Sequence, residues 1–187
     1  MTQATCDVIA QRQPSEEGAA ATPRSVFTAT ESADFRAVLG HFCSGIVIVT
    51  AMDGSEPVGM TCQSFSSASL TPPLVMFLPA RTSTSYPRIR AAGHFCVNVL
   101  DNSQEAVSAQ FSRSGTDKWS GISWTPAENG APVLDGALAW MECTLHREYD
   151  AGDHVITLGL VERLGAAATG EPLLYFRGAY GQFLARS

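Results

Sequence analysis

The most informative stretch of this chain is residues 59–67, GMTCQSFSS, where a strand-like run meets a cluster of hydroxyls. A second apolar run, PPLVMFL over residues 72–78, follows it, and RTSTS over residues 81–85 comes shortly after that run. Two hydroxyl clusters therefore flank one strand that is predicted to be buried. The second cluster also carries a guanidinium. This arrangement suits a ligand with a flat ring at one end and a phosphate at the other.

A hairpin is predicted immediately before this stretch. IVIVT over residues 46–50 is a β-branched run too short for a helix. Asp53 and Gly54 follow it and form a dipeptide typical of tight hairpin turns. A second strand must therefore return through Val58 and Met60.

Further strand-like runs occupy the second half of the chain. FCVNVL over residues 95–100 and LLYF over residues 173–176 are short and rich in β-forming residues. Residues 138–149 and 155–164 are long enough to pair as a hairpin across residues 151–153. We therefore predict a mainly β protein, with antiparallel strands closed into a barrel and a few helices outside it.

The first predicted helix precedes the hairpin. Four apolar residues recur at the i, i+3, i+4 and i+7 spacing of a helix: Phe35, Val38, Leu39 and Phe42. Hydroxyl residues within 30–32 can cap its start, and Gly45 is expected to end it. We expect the apolar stripe to pack against the rest of the protein.

Two more helices are predicted in the middle of the chain. Residues 87–92 form a short one closed by Gly93. Asn102 and Glu105 stand at capping-box spacing before the other. The stretch 124–134 is expected to be rich in loops.

Length and composition indicate one globular domain. The chain has 187 residues, of which 45% are hydrophobic and 16% charged, an ordinary balance for a folded domain. Residues 1–30 carry no apolar period, so we expect a mobile tail before a single domain over residues 31–187. No apolar run reaches membrane-spanning length, and no secretion signal is recognisable, so we expect a cytoplasmic protein.

Charge and motif content exclude several functions. The formal net charge of -6 opposes a nucleic-acid surface, which needs excess Lys and Arg. The five cysteines form no Cys-x-x-Cys and no spacing typical of a metal site, so no metal is predicted. Neither a Gly-x-Gly-x-x-Gly strand-to-helix turn nor a Walker loop is present, and a Gly-x-Ser-x-Gly elbow is also absent. A nucleotide must therefore bind by another architecture.

The run at residues 81–85 is the first candidate for an anion site. It lies between a predicted strand and a predicted helix, where unpaired backbone N–H groups can face a phosphate. Taken alone, the same run fits an ordinary Ser/Thr-rich helix cap with a solvated Arg81. The flanking hydroxyl cluster at residues 63–69 favours the phosphate interpretation.

Several motifs together resemble the short-chain flavin reductases that supply two-component monooxygenases. They span most of the chain between Phe35 and Tyr180: FRxVLGxFCxG over 35–45, VGxxCQSF over 58–65, PPLV over 72–75, FCVNVL over 95–100, DKW over 117–119, GDH over 152–154 and RGxY over 177–180. The resemblance implies a split β-barrel of the flavin-binding, Greek-key-like antiparallel type, usually a homodimer with flavin near the interface. It also implies hydride transfer from NADH or NADPH to FAD or FMN, with NADH and FAD favoured. The reduced flavin then diffuses to a partner oxygenase. The long N-terminal tail departs from many relatives.

The resemblance also implies site residues. For the flavin ring and ribityl chain they are Gly59, Met60, Thr61, Gln63 and Ser64. For the ring edge and phosphate they are Leu78, Pro79, Ala80, Thr84 and Ser85, with Gln110 and Phe111 nearby and Lys118 as a further cation. The Gly-Asp-His turn implies Asp153 and His154 for the nicotinamide, with His154 placing it for transfer. Arg177 and Tyr180 are further candidates, although a strand-end Arg and Tyr can also simply close a core.

Three functions remain open at this level. The first is NAD(P)H:flavin oxidoreduction, which needs little from the protein beyond stacking two rings and excluding water. The second is a flavin-binding or carrier protein without nicotinamide turnover. The third is an enzyme like pyridoxamine-phosphate oxidase, with permanently bound FMN and a substrate of its own.

Overall fold

The computed structural model describes Val26 and residues 31–184. Except for Val26, the tail predicted over residues 1–30 lies outside the described residues. Within them the chain forms, in order, α1 (Ser32–Leu39), β1 (Ser44–Gly45), β2 (Val47–Asp53), β3 (Glu56–Cys62), β4 (Ser66–Leu70), β5 (Pro73–Phe77), α2 (Tyr86–Ala92), β6 (His94–Val99), a 3-10 helix (Asn102–Gln104), α3 (Glu105–Ser112), β7 (Trp124–Pro126), β8 (Pro132–Leu134), β9 (Ala139–Ala151), β10 (His154–Ala166), β11 (Leu173–Phe176) and β12 (Ala179–Gln182).

The main sheet is antiparallel and has seven strands in the order β3-β2-β6-β9-β10-β5-β4. Its two edge strands, β3 and β4, are neighbours in the chain, with only residues 63–65 between them. A sheet whose edges are joined by so short a link must curl towards closure. The predicted mainly β, antiparallel architecture with few helices is therefore confirmed. The opening between β3 and β4 lies at residues 63–65, within the GMTCQSFSS stretch.

The sheet buries apolar side chains on both faces of β2, and so explains the unbroken β-branched run there. Val47 and Val49 point into the main core with Phe77 and Phe95, whereas Ile48 points into a second core with Phe111. A strand that is buried on both sides reads as continuously hydrophobic rather than alternating. The hairpin turn predicted at residues 53–54 joins β2 to β3 as expected.

The first helix differs from the prediction. It ends at Leu39, so Phe42 lies beyond it, and Glu31 precedes it without a side-chain capping bond. Its apolar row does not pack inward in this single chain, since Phe35 is 52% exposed and Phe42 is 82% exposed. Helical spacing identifies an apolar face, but it does not say what covers that face.

Two smaller predictions are also corrected. The capping box lies one residue earlier than predicted: Asp101 Oδ1 accepts the Ser103 N–H at 2.9 Å, and Gln104 Oε1 accepts the Asp101 N–H at 3.0 Å. The chain makes a 3-10 turn before α3, which shifts the cap. The stretch expected to be loop-rich contains the paired strands β7 and β8.

Candidate functional site

A cavity of about 310 Å³ lies beside the opening between β3 and β4. Four segments surround it: the end of β3, the loop between β5 and α2, the end of α3 and the loop that follows α3. The predicted flavin residues that line it are Met60, Thr61, Gln63, Ala80, Thr84, Ser85, Phe111 and Lys118. The fold thus brings together residues that are up to 58 positions apart in the sequence.

One end of this cavity is built for an anion. Thr82, Ser83, Thr84 and Ser85 supply hydroxyls there, and Lys118 supplies the cation. The Lys118 ammonium donates to Ser85 Oγ at 3.1 Å and to the Gly59 carbonyl at 3.3 Å. Partial burial lowers the pKa of Lys118 below the usual lysine range, because desolvation disfavours its charged form. A phosphate bound here would pair with the ammonium and favour its charged form, which would raise the pKa of Lys118 again.

The remaining walls combine apolar and polar side chains. Met60, Ala80 and the ring of Phe111 line this part of the cavity, and Phe111 itself is completely buried. Thr61 uses its hydroxyl to donate to the Ser108 carbonyl at 2.7 Å, which ties β3 to α3. Apolar surface beside fixed polar groups can hold a flat ring ligand.

Gly59 is required by packing rather than by contact with this cavity. A Cβ on this residue would lie 2.5 Å from Cε1 of Phe111. Only glycine allows β3 to pass so close to the aromatic ring. Gly59 also offers the carbonyl that accepts the Lys118 bond.

Three more predicted residues frame the site. Ser64 Oγ accepts the Leu78 N–H at 3.0 Å and donates to the Leu78 carbonyl at 3.2 Å, which fixes the strand link. Gln110 Nε2 donates to the carbonyls of Lys118 and Ser120 at 3.0 and 2.9 Å. Gln110 therefore holds the loop that presents the Lys118 ammonium.

The Gly-Asp-His turn joins β9 to β10 and lies against the loop between β5 and α2. His154 forms a β-bridge with Ala80, and the Val155 N–H donates to the Pro79 carbonyl at 3.0 Å. His154 Nδ1 is 2.8 Å from Asp153 Oδ1, so this nitrogen carries the proton and the pKa of Asp153 is lowered by the bond. The imidazole is 41% exposed.

The structure corrects the expectation for Arg81. Its guanidinium pairs with the Asp150 carboxylate and donates to the Gly152 carbonyl at 3.0 Å. The side chain therefore turns away from the Lys118 end and lines a different cavity, of about 620 Å³, on the other side of the loop. Lys118, rather than Arg81, is the cation at the hydroxyl cluster.

Arg177 and Tyr180 do not line the 310 Å³ cavity. The Tyr180 hydroxyl is 3.1 Å from Ser108 Oγ, and its ring packs edge-on against Tyr175. Arg177 has a φ of 51° and donates its N–H to the Gly40 carbonyl at 2.8 Å. The Tyr180 ring therefore packs against the second core, and the Arg177 N–H ties the turn before β12 to the residue after α1.

The residues missed by the site prediction are polar and small. Thr82, Ser83, Ser112 and Ser114 also line the cavity but were not among the individual site residues. The first two belong to the run already singled out as an anion site. Ser112 ends α3 and Ser114 lies in the polar loop that follows it, and only the polar composition of this stretch could have suggested them.

Two further findings concern the described part of the chain. Within residues 31–184 no group of three or more His, Cys, Asp or Glu side chains is placed to hold a metal ion. No helix of the described residues is long and apolar enough to cross a membrane.

The chain belongs to the family of proteins with a flavin reductase-like domain, whose family description matches residues 39–184. It is therefore a flavin reductase by family, an oxidoreductase on a split-barrel fold. The cavity carries hydroxyls, the Lys118 ammonium and some apolar surface, which are the kinds of group that a flavin nucleotide can contact.

Individual relatives show which kinds of flavin reductase this chain is similar to. The reductase subunit HsaB of a flavin-dependent monooxygenase from Mycobacterium tuberculosis is 47% identical over 148 residues, covering 78% of this chain and 79% of that protein. A flavin reductase from Pseudomonas putida is 47% identical over 152 residues, covering 81% and 89%. The solved NADH:FAD oxidoreductase SgcE6 of Streptomyces globisporus superposes with a TM-score of 0.82 at 35% identity, covering 88% of this chain and all of that one.

Proposed function

We propose that this protein transfers a hydride from NADH, or less readily NADPH, to FAD or FMN and releases the reduced flavin to a partner monooxygenase. The relatives named above include a monooxygenase reductase subunit and an NADH:FAD oxidoreductase. The observation that carries the proposal is the 310 Å³ cavity, which has apolar walls at Met60 and Phe111 and a half-buried ammonium at Lys118.

In this proposal the flavin phosphate binds at Thr84, Ser85 and Lys118, and the ring lies towards Met60, Thr61 and Gln63. Backbone N–H groups around residues 61–64 bond the pyrimidine edge of the ring, where negative charge grows during reduction. The frame formed by Ser64, Leu78 and Gln110 keeps these groups in place.

His154 positions the nicotinamide. Its backbone pairs with Ala80, and Ala80 also lines the flavin cavity. The loop between β5 and α2 therefore contacts both the turn and the cavity. Asp153 holds the imidazole in one tautomer through the 2.8 Å contact. A bound flavin accepts hydride from the nicotinamide ring directly, so no general acid–base pair is needed from the protein.

The test measures NADH oxidation on mixing the protein with free FAD, FMN or riboflavin. We expect flavin-dependent loss of the nicotinamide absorbance, with NADH preferred over NADPH. His154→Ala should raise the Michaelis constant for NADH more than it weakens flavin binding. Turnover without any change in that constant would remove His154 from the nicotinamide site.

The NADH oxidation assay and the colour of the purified protein separate the two other functions. A flavin carrier would bind flavin without oxidising NADH. An enzyme of the pyridoxamine-phosphate oxidase kind would purify yellow, with FMN that survives dilution. Family membership favours the reductase over both.

We propose a homodimer as the working form. Support comes from the apolar row of α1 and the residues after it, which a single chain leaves exposed. Arg36, Leu39 and Phe42 line a cavity that also reaches Gln63, so a covered α1 face would border the flavin site. A cytoplasmic location remains part of the proposal.

A further inference from the structure

Met60 brings a thioether to the wall of the flavin cavity. Within residues 31–184 there are four methionines, and all of them are half-buried: Met52, Met60, Met76 and Met141. Exposure alone would therefore make the four similarly accessible to an oxidant in solution. Of these four, Met60 is the one that lines the cavity. An oxidant formed inside the cavity would reach Met60 before the others.

The sulfur of Met60 lies beside a hydroxyl. Ser83 Oγ donates to Met60 Sδ at 3.9 Å, a weak hydrogen bond of the kind that thioethers accept. Ser83 belongs to the loop between β5 and α2, which lines the same cavity. Along β3, Met60 pairs with Val49, a buried residue of the main core. The side chain therefore packs against the core while its sulfur faces the hydroxyl loop.

The proposed reaction supplies an oxidant at this place. Reduced flavin that no partner takes up gives two electrons and two hydrogens to dioxygen, which yields oxidised flavin and hydrogen peroxide. We propose that peroxide formed in this way inside the cavity oxidises Met60 to methionine sulfoxide. This inference rests on the proposed function, because it requires reduced flavin beside Met60.

The oxygen transfer needs no reagent besides the peroxide. A lone pair on Met60 Sδ attacks one peroxide oxygen, the O–O bond breaks and an S–O bond forms. The other oxygen leaves with both hydrogens as water, so sulfur loses two electrons and the peroxide gains them. The new sulfoxide oxygen accepts hydrogen bonds more strongly than the thioether does, and the Ser83 hydroxyl, which already donates to this sulfur, is placed to bond it.

Oxidation at Met60 changes the surface that faces the flavin. It converts a flexible apolar side chain into a polar one, which weakens the packing of a ring against it. The reductase therefore slows when reduced flavin reacts with dioxygen instead of reaching a partner. Methionine sulfoxide reductases reverse the modification, so the protein regains its activity. Met60 thus limits NADH oxidation that serves no partner.

The test turns the protein over with NADH and excess FAD in air and locates added oxygen by peptide mass spectrometry. Catalase in the solution removes peroxide that has left the cavity. We expect Met60 to gain oxygen about fivefold or more faster than Met52, Met76 and Met141. Equal oxidation of the four methionines, or an unchanged Met60 during NADH oxidation, would overturn the inference and leave the reductase function intact. Absence of NADH oxidation would instead overturn the proposed function.

Two controls show where the oxidant forms. Turnover without dioxygen should leave all four methionines unchanged, and oxidation of Met60 under that condition would contradict peroxide as the oxidant. Hydrogen peroxide added to the protein without flavin or catalase should oxidise the four at rates within about threefold of one another. A strong preference for Met60 in this second control would overturn its oxidation by peroxide formed in the cavity.

A pair of variants tests the effect on activity. Met60→Leu keeps an apolar side chain of similar volume but removes the sulfur, and Met52→Leu is the matched control on the same hairpin. Each variant is compared with its own starting rate of NADH oxidation after aerobic turnover. We expect Met60→Leu to keep about twofold or more of the fraction that the wild type keeps, and Met52→Leu to decline as the wild type does. An equal decline of Met60→Leu and wild type would overturn the inferred control of activity.

Discussion

The Lys118 ammonium lies 3.1 Å from Ser85 Oγ, a contact that joins the loop after α3 to the loop before α2. Lys118→Met keeps most of the side chain but removes the charge. We expect the dissociation constant for FMN to rise about tenfold to a hundredfold, because a hydrogen bond to a charged group contributes roughly 1.5–3 kcal/mol. Riboflavin has no phosphate and serves as the control ligand. A similar loss for riboflavin would contradict a phosphate role for Lys118.

The affinity for FMN should also fall at high pH. Burial lowers the pKa of Lys118 in the free protein below the usual value of about 10.4. A bound phosphate favours the charged ammonium and raises that pKa, so binding is tightest below the free-protein pKa and weakens as the pH rises through the interval between the two values. Titration of FMN affinity against pH should show this alkaline limb in the wild type. Persistence of the limb in Lys118→Met would assign it to another group.

Gly59→Ala should destabilise the protein. The new Cβ would lie 2.5 Å from Cε1 of Phe111, a ring that is completely buried and has no room to turn. Overpacking of this kind costs about 1–3 kcal/mol. Gly45→Ala is the matched control, because nothing lies within 4 Å of its Cβ position. Denaturant unfolding of both variants measures the difference, and equal stabilities would argue against close packing at Gly59.

Tyr86→Phe should also lower the free energy of unfolding. The hydroxyl of this buried tyrosine donates to Glu148 Oε1 at 2.5 Å and lies 2.6 Å from Thr157 Oγ1, which is itself fully buried. Leaving such partners unsatisfied costs about 1–3 kcal/mol. Tyr149→Phe removes only a 3.4 Å surface contact with Arg147 and should change stability by less than about 0.5 kcal/mol. Thermal unfolding of the two variants compares them directly.

The proposed homodimer predicts an effect at Phe42. This side chain is 82% exposed in the single chain, and Phe42→Ser should reduce the dimer fraction measured by sedimentation without unfolding the subunit. Leu70→Ser on β4 alters a residue that is 88% exposed and provides a comparison of similar exposure. An unchanged sedimentation profile for Phe42→Ser would place the interface elsewhere.

Sequence patterns predicted the strands well, because local spacing carries the information. The unbroken run at β2, the turn at residues 53–54 and the long β9–β10 hairpin all follow from period and turn chemistry. The exposure of the apolar row of α1 could not be predicted from its spacing. Its spacing is helical, but whether Phe35 is covered depends on what lies beside the helix.

From the sequence alone, the two hydroxyl clusters on either side of one predicted strand indicated a site for a ring and a phosphate. Which cation lies beside those hydroxyls follows only from the folded chain. Arg81 stands within the hydroxyl run, yet Asp150, 69 positions away, captures its guanidinium. Lys118, 33 positions from Ser85, reaches the hydroxyls because Gln110 fixes the loop that carries it. Long-range pairing depends on how strands and loops meet in space, and spacing along the chain does not encode it.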